Sequence, residues 1–102
     1  MANKSDEKVV GVVVTTERRA VFFGYVAEGT QPVEGALTLQ RARNCLYWSN
    51  DVKGFLGLAA TGPSKSCRVG PAVPTLFVNA ITSVAVATQE AIDAWEHGPW
   101  SR

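Results

Sequence analysis

The sequence has few of the side chains that usually build catalytic and metal sites. Its 102 residues include one histidine, His97, and two cysteines, Cys45 and Cys67. Metal centres need several ligands at workable spacing, and nucleophilic catalysis needs a base beside its nucleophile. The two cysteines match no zinc or redox spacing, and His97 falls in the last turn of a predicted helix, where a capping role is expected. We therefore expect a protein that is not an enzyme and has no metal and no cofactor.

Excess charge and long apolar runs are lacking as well. The formal net charge is +1, which argues against general nucleic-acid binding. No apolar run approaches the length that spans a bilayer, so no membrane association is expected. The charged start MANKSDEK does not resemble a secretory signal. A cytoplasmic location with reduced thiols follows, with a structural disulfide as the alternative.

The residues that are abundant predict a mainly β fold. We expect one domain over residues 1–102, with 1–7 as a polar lead-in, forming a small sandwich or barrel of about five strands with one short C-terminal helix. β-branched residues favour strands, and Thr88 is a suitable N-cap for a helix over 89–97. The predicted strands are 9–16 and 20–27, which form a hairpin, then 37–48, and finally 75–79 and 81–87, which are either two short strands or one bent strand.

The hairpin strands are apolar on both faces, so the second face needs a cover. The C-terminal helix is one candidate and a second copy of the chain is another. Together with Trp100, this surplus of apolar surface predicts a homo-oligomer.

The stretch 39–70 carries most of the polar chemistry. In an extended strand, alternate side chains place Arg41, Arg43, Cys45 and Tyr47 on one face, which we interpret as solvated and cationic. Ala42, Asn44, Leu46 and Trp48 would face the core, and a bulge is expected near Gln40. The run 57–62 has the outline of a phosphate loop, but Pro63 replaces the required lysine, which excludes nucleotide hydrolysis.

This stretch predicts a site for an anion, with a nucleotide-like small molecule preferred because it would use both charge and stacking. Arg43 is expected to contact the ligand from outside the core, so that its removal would leave the fold intact. The alternative is a half-buried strand followed by a tight structural loop. The predicted ligand-binding residues are Arg41, Arg43, Lys65 and Arg68 for charge, Thr61, Ser64 and Ser66 for hydroxyl groups, and Tyr47 or Trp48 for stacking.

Four segments together resemble a known family: VVVTTERRAVFFG, RARNCLYW, GFLGLAATGPS and a closing helix with Ala-Trp. The combination is similar to small uncharacterised proteins of bacteriophages and prophages, grouped as a domain of unknown function. The resemblance implies a phage setting in the host cytoplasm or the virion. In that setting the expected function is an oligomeric protein that sequesters a nucleotide-like signalling molecule of host defence. The alternative is an interaction module that inhibits a host protein or serves as a minor virion component.

Overall fold

A computed structural model describes residues 8–17 and 20–99 of the chain. Within these residues lie six strands, two α-helices and a short 3₁₀ turn at Asn50–Val52. The mainly β prediction with a short C-terminal helix is confirmed. The strands and helices are β1 (Val9–Thr16), β2 (Val21–Ala27), β3 (Leu37–Tyr47), α1 (Gly54–Ala60), β4 (Arg68–Val69), β5 (Val73–Val78), β6 (Ile81–Val86) and α2 (Gln89–His97).

All the strands pair antiparallel in one sheet, in the order β4-β3-β2-β1-β6. The long strand β3 also pairs with β5, which follows β4 along the same edge. Only Asn79 and Ala80 separate β5 from β6, although these two strands lie at opposite ends of the strand order. So short a link requires the two edges of the sheet to approach each other. The sheet is therefore curled into a partly closed barrel.

A bulge in β3 sets the direction of this curl. Phe23 of β2 pairs with Arg43, whereas Tyr25 pairs with Gln40, so β3 contributes one residue more than β2 over this step. Arg41, inside the bulge, has a positive φ of 49°. The bulge predicted near Gln40 is thus confirmed. It bends β3, so that this one strand pairs with β2 on one side and with β4 and β5 on the other as the sheet curls.

Two apolar clusters fill the two sides of the sheet. The concave side encloses buried residues of β1, β2, β3 and β5, namely Val12, Val14, Val26, Leu37, Leu39, Ala42 and Val78. On the convex side both helices pack, and the indole of Trp95 from α2 stacks on Phe23 with ring centroids 5.0 Å apart. The C-terminal helix, one of the two covers expected for the second face of the hairpin, packs there together with α1, and the curled sheet encloses the other face. Trp100 lies outside the described residues.

The helix α2 has the predicted bounds and the predicted cap. The backbone N–H of Ala91 donates to the Thr88 hydroxyl at 3.1 Å, which satisfies one of the free donors of the first turn. The indole Nε1 of Trp95 donates to the Leu58 carbonyl of α1 at 3.1 Å. This bond fastens the two helices to each other across the convex core.

The helix α1 was not predicted, since residues 54–62 read as a glycine-rich loop. Leu58 and Ala59 are buried against the convex core, and this packing overrides the weak helix propensity of glycine. Gly57 is required there because a Cβ at this position would overlap the Val52 carbonyl. Thr88, the N-cap of α2, also contacts the end of α1, because its hydroxyl donates to the Ala60 carbonyl at 2.6 Å. None of the helices among the described residues is long and apolar enough to cross a membrane.

The close approach of β2 and β3 at the bulge makes Gly24 sensitive to substitution. A Cβ at Gly24 would lie 2.7 Å from the Cβ of Leu39, which is fully buried. We predict that Gly24→Ala lowers the free energy of unfolding by about 1–3 kcal/mol through overpacking. The control is Gly70→Ala, whose Cβ would meet its nearest atom at an ordinary 3.7 Å. Urea denaturation of both variants measures the difference, and equal losses would contradict the packing described here.

A candidate anion site between β3 and α2

The bulge in β3 places the two predicted arginines on the convex face in different environments. The Arg41 side chain is 62% exposed, and its guanidinium carbon lies 4.2 Å from the ring centroid of Tyr25. This arrangement is a cation–π contact. The Arg43 side chain is only 9% exposed, and its Nη1 donates to the Gly70 carbonyl at 3.1 Å. Arg43 therefore links β3 to the segment that follows β4.

A carboxylate from α2 completes the cluster. The Tyr25 hydroxyl donates to Glu96 Oε2 at 2.5 Å, and the Glu96 side chain is 23% exposed. Arg43 Nε lies 3.8 Å from Glu96 Oε1, and Arg41 Nη1 lies 4.0 Å from Glu96 Oε2. Both distances exceed the range of about 2.7–3.2 Å in which N–H···O hydrogen bonds form. The two arginines therefore form ion pairs with Glu96 but no hydrogen bonds.

The cluster leaves one buried donor unpaired. Arg43 Nε is inaccessible to solvent and has no hydrogen-bond partner. Two guanidinium groups face a single carboxylate here, so the cluster of Arg41, Arg43 and Glu96 carries a formal charge of +1. An uncompensated positive charge with a free donor in a largely desolvated position favours an anion.

The prediction that Arg43 and Cys45 lie on a solvated face is wrong. Both are buried, because α2 and the segment around β4 cover that face of β3. On the opposite face, Asn44 and Leu46 are exposed, although they were expected to enter the core, whereas Ala42 is buried as expected. The expectation that the fold would tolerate loss of Arg43 rested on the solvated face and has lost that support.

The aromatic residues predicted to stack are separated from the arginine pair. Tyr47 is exposed at the end of β3 and pairs with Arg68 of β4 across the sheet. These two residues and Leu46 line a shallow surface depression of about 420 Å³. Trp48 is partly buried and packs against the convex core, so much of its ring is already in contact. Tyr47 with Arg68 is thus a second cation–aromatic position.

Two of the three predicted hydroxyl groups, those of Thr61 and Ser64, have partners within the chain. Ser64 donates to Asp51 Oδ1 at 3.1 Å, and the Ser49 hydroxyl donates to the same oxygen. Both hydrogen bonds hold the pKa of Asp51 below its ordinary value. The Thr61 hydroxyl donates to the Gly57 carbonyl at 3.2 Å. Ser64 and Thr61 are therefore already hydrogen-bonded within the chain, whereas Lys65, Ser66 and Arg68 are exposed.

Two members of the cluster, Tyr25 and Glu96, were missed by the sequence reasoning. Tyr25 stood in a strand predicted as apolar throughout, and Glu96 stood beside Trp95 in the last turn of a short helix. The position of Glu96 next to Trp95 in the predicted helix was the signal that could have indicated its place in the site. Since Trp95 faces the core, its neighbour Glu96 lies at the margin of the same packed face, where it can reach the sheet.

Two side chains of this region have raised pKa values. Burial first, and then the hydrogen bond to Glu96, raise the pKa of Tyr25 well above its ordinary value of 10.0. Tyr25 is therefore a permanent hydrogen-bond donor. Cys45 and Cys67 are free and buried, and burial followed by the neighbouring Cys67 raises the pKa of Cys45 to about 11. Among residues 8–17 and 20–99, no group of three or more His, Cys, Asp or Glu residues is arranged to hold a metal.

Comparison with known proteins gives one match. The model of a family described as a domain of unknown function (DUF6948) matches residues 9–95, a range that includes Tyr25, Arg41 and Arg43 and ends one residue before Glu96. No curated protein and no solved structure matches the chain.

Ionisation of Tyr25 tests the hydrogen bond to Glu96. Because its pKa is raised in the folded chain, the stability that Tyr25 contributes is complete below the ordinary tyrosine pKa of 10.0 and is lost as the pH rises above it. We predict that the wild-type chain loses more stability above this pH than Tyr25→Phe does. Chemical denaturation from pH 8 to 11 provides the measurement, and parallel curves for the two proteins would contradict the contact.

The different burial of the two arginines gives a second prediction. Arg43→Gln should lower the free energy of unfolding by about 3 kcal/mol, because it breaks a buried ion pair. The same change at exposed Arg41 should cost less than about 1 kcal/mol. Thermal melts of the matched variants decide this. A stable Arg43→Gln protein would show that this buried ion pair adds little to the free energy of unfolding.

Proposed function

We propose that this chain, which belongs to the DUF6948 family, is a non-enzymatic binding protein for a nucleotide-like anion. The observation that carries the proposal is the unpaired, buried Nε of Arg43 beside Arg41 and Tyr25. Arginine presents donors in a planar fork that matches phosphate oxygens, and partial burial weakens the competition from water.

The two cation–aromatic positions favour an extended ligand. Arg43 and Tyr47 lie four residues apart on β3, a separation of roughly 13 Å along an extended strand. One phosphate group is too small to touch both. A ligand with a phosphate at one end and a planar base at the other would place the phosphate against Arg41 and Arg43 and the base against Tyr47. This division of roles supports a nucleotide-like molecule over a bare anion.

The biological setting of the proposal comes from the resemblance to phage proteins. We propose sequestration of a signalling molecule of host defence, in the host cytoplasm, by a homo-oligomer of this chain. Both apolar faces of the hairpin are covered within the chain, so an uncovered hairpin face no longer argues for a homo-oligomer. The homo-oligomer remains a prediction. Size-exclusion chromatography with light scattering measures it directly.

A second candidate function is a protein-interaction module, and one surface favours it. Beside β3, a groove of about 350 Å³ is lined mainly by the apolar residues Phe22, Ala42, Leu46, Pro71, Val73 and Leu76, and also by Arg43, Asn44 and Gly70. Leu46 is 64% exposed there. An exposed apolar groove of this kind suits a protein partner better than a nucleotide, and the partner would be a host protein to be inhibited or a neighbouring virion component.

The primary proposal predicts that Arg41→Gln weakens ligand binding without unfolding the chain. Loss of one charge-assisted hydrogen bond is worth about 1.5–3 kcal/mol, or roughly a tenfold to hundredfold rise in the dissociation constant. Isothermal titration of a panel of linear and cyclic nucleotides measures the effect. The control is Lys53→Gln, an exposed cation that, like Arg41, has a positive φ but lies outside the cluster.

The panel also separates the two candidate functions. Binding that is lost in Arg41→Gln and kept in Lys53→Gln supports the nucleotide-like ligand. If the wild-type chain binds no member of the panel, the proposal fails and the interaction module becomes the better explanation. Arg68→Ala, tested on any nucleotide that binds, shows whether the second cation–aromatic position takes part.

A further inference from the structure

The carboxylate of Glu96 occupies the point on which the donors of the cluster converge. Both ion pairs recorded among residues 8–17 and 20–99 end on Glu96, one from Arg41 and one from Arg43. The Tyr25 hydroxyl also donates to it, at 2.5 Å. Three donors from two neighbouring strands, β2 and β3, are therefore directed at one acidic side chain from α2.

Glu96 fits this position poorly. It is hydrogen-bonded to Tyr25 but remains 3.8 Å from Arg43 Nε and 4.0 Å from Arg41 Nη1, so neither guanidinium forms a hydrogen bond with it. The consequence appears at Arg43, whose Nε is buried without a partner. A carboxylate has only two oxygens in one plane, and the approach to Tyr25 leaves both arginines out of reach.

A phosphate group would suit the same donors better. Its terminal oxygens are tetrahedrally arranged and number three in a monoester, so Tyr25, Arg41 and Arg43 could each donate to a different oxygen. Its greater charge also matches two guanidinium groups more fully than a single carboxylate does. Glu96 can leave, because it lies in the last turn of α2 and its side chain is 23% exposed. Its neighbour Trp95 is fully buried and would hold the helix in place as Glu96 moves.

We propose that Glu96 is a displaceable internal substitute for the ligand's phosphate, which a phosphomonoester must expel to reach Tyr25, Arg41 and Arg43. The inference rests on the proposed anion-binding function and adds its regulation: Glu96 lowers the affinity of the site and rejects anions too weak to displace it. Release of Glu96 pairs Arg43 Nε, so the bound state satisfies the donor that the free state leaves unpaired.

The decisive variant is Glu96→Gln. Glutamine keeps the size of the side chain and can still accept from the Tyr25 hydroxyl, but it removes the charge that competes with and repels phosphate. Isothermal titration with inorganic phosphate and with adenosine monophosphate should show binding tighter by about tenfold or more in Glu96→Gln than in the wild type. Glu90→Gln is the matched control, because it makes the same change at an exposed position in the first turn of α2 and should leave the affinity unchanged.

A second pair of variants distinguishes competition from a merely structural role. Tyr25→Phe should weaken phosphate binding in the wild-type and Glu96→Gln backgrounds alike, because the hydroxyl donates to the ligand in both. Glu96→Asp keeps the charge but shortens the side chain, so it should bind phosphate more tightly than the wild type even if Glu96→Gln folds poorly.

The outcomes separate the inference from the proposal on which it rests. If the wild type binds either probe and neither Glu96 variant binds it more tightly, the displacement inference is overturned while the binding function stands. If no protein binds either probe, and none binds the nucleotide panel, the binding function itself fails. Tighter binding in Glu96→Gln and Glu90→Gln alike would show a general effect of charge and would also overturn the inference.

Discussion

The bulge at Gln40 and Arg41 of β3 is the constraint on which the rest of the structure depends. In a strand without a bulge, side chains alternate strictly, so Leu37 and Leu39 would lie on the same face as Arg43. Either the two leucines would then be outside the concave core or Arg43 would be inside it. The extra residue in β3 resolves this conflict. It sends the leucines into the concave core and Arg43 to the convex side, where Tyr25 and Glu96 meet it. Fold and candidate site therefore share one local irregularity.

The aromatic residues beneath the cluster tie it to the convex core. Trp95 stacks on Phe23, and Phe23 meets Tyr25 edge-to-face with ring centroids 5.2 Å apart. These contacts restrict the Tyr25 ring, against which Arg41 lies. A site built in this way is preorganised by packing, since its donors are held in place before any ligand arrives. Glu96 is its acidic component, and it reaches the site from the last turn of α2.

Local signals in the sequence were sufficient for some elements and insufficient for others. The β-branched run 9–16 and the Thr88 cap determine β1 and α2 through short-range preferences, and both elements have the predicted bounds. The helix α1 is stabilised by burial of Leu58 against α2. Its sequence did not predict a helix, because its glycines are typical of a loop. The arginines of the candidate site were found by their alternation, but the burial of Arg43 depends on α2, more than forty residues further along the chain. Tyr25 and Glu96 belong to the site only through that long-range packing.

The closure of the sheet has a consequence for biosynthesis. Val12 of β1 pairs with Val86 of β6, so β1 leaves the ribosome well before one of its two neighbours has been made. At typical translation rates of about 5–20 residues per second, β1 waits several seconds with one edge unpaired. The hairpin partner β2 protects the other edge early. Docking of β6 and α2 closes the sheet, covers Phe23 and brings Glu96 to the arginines.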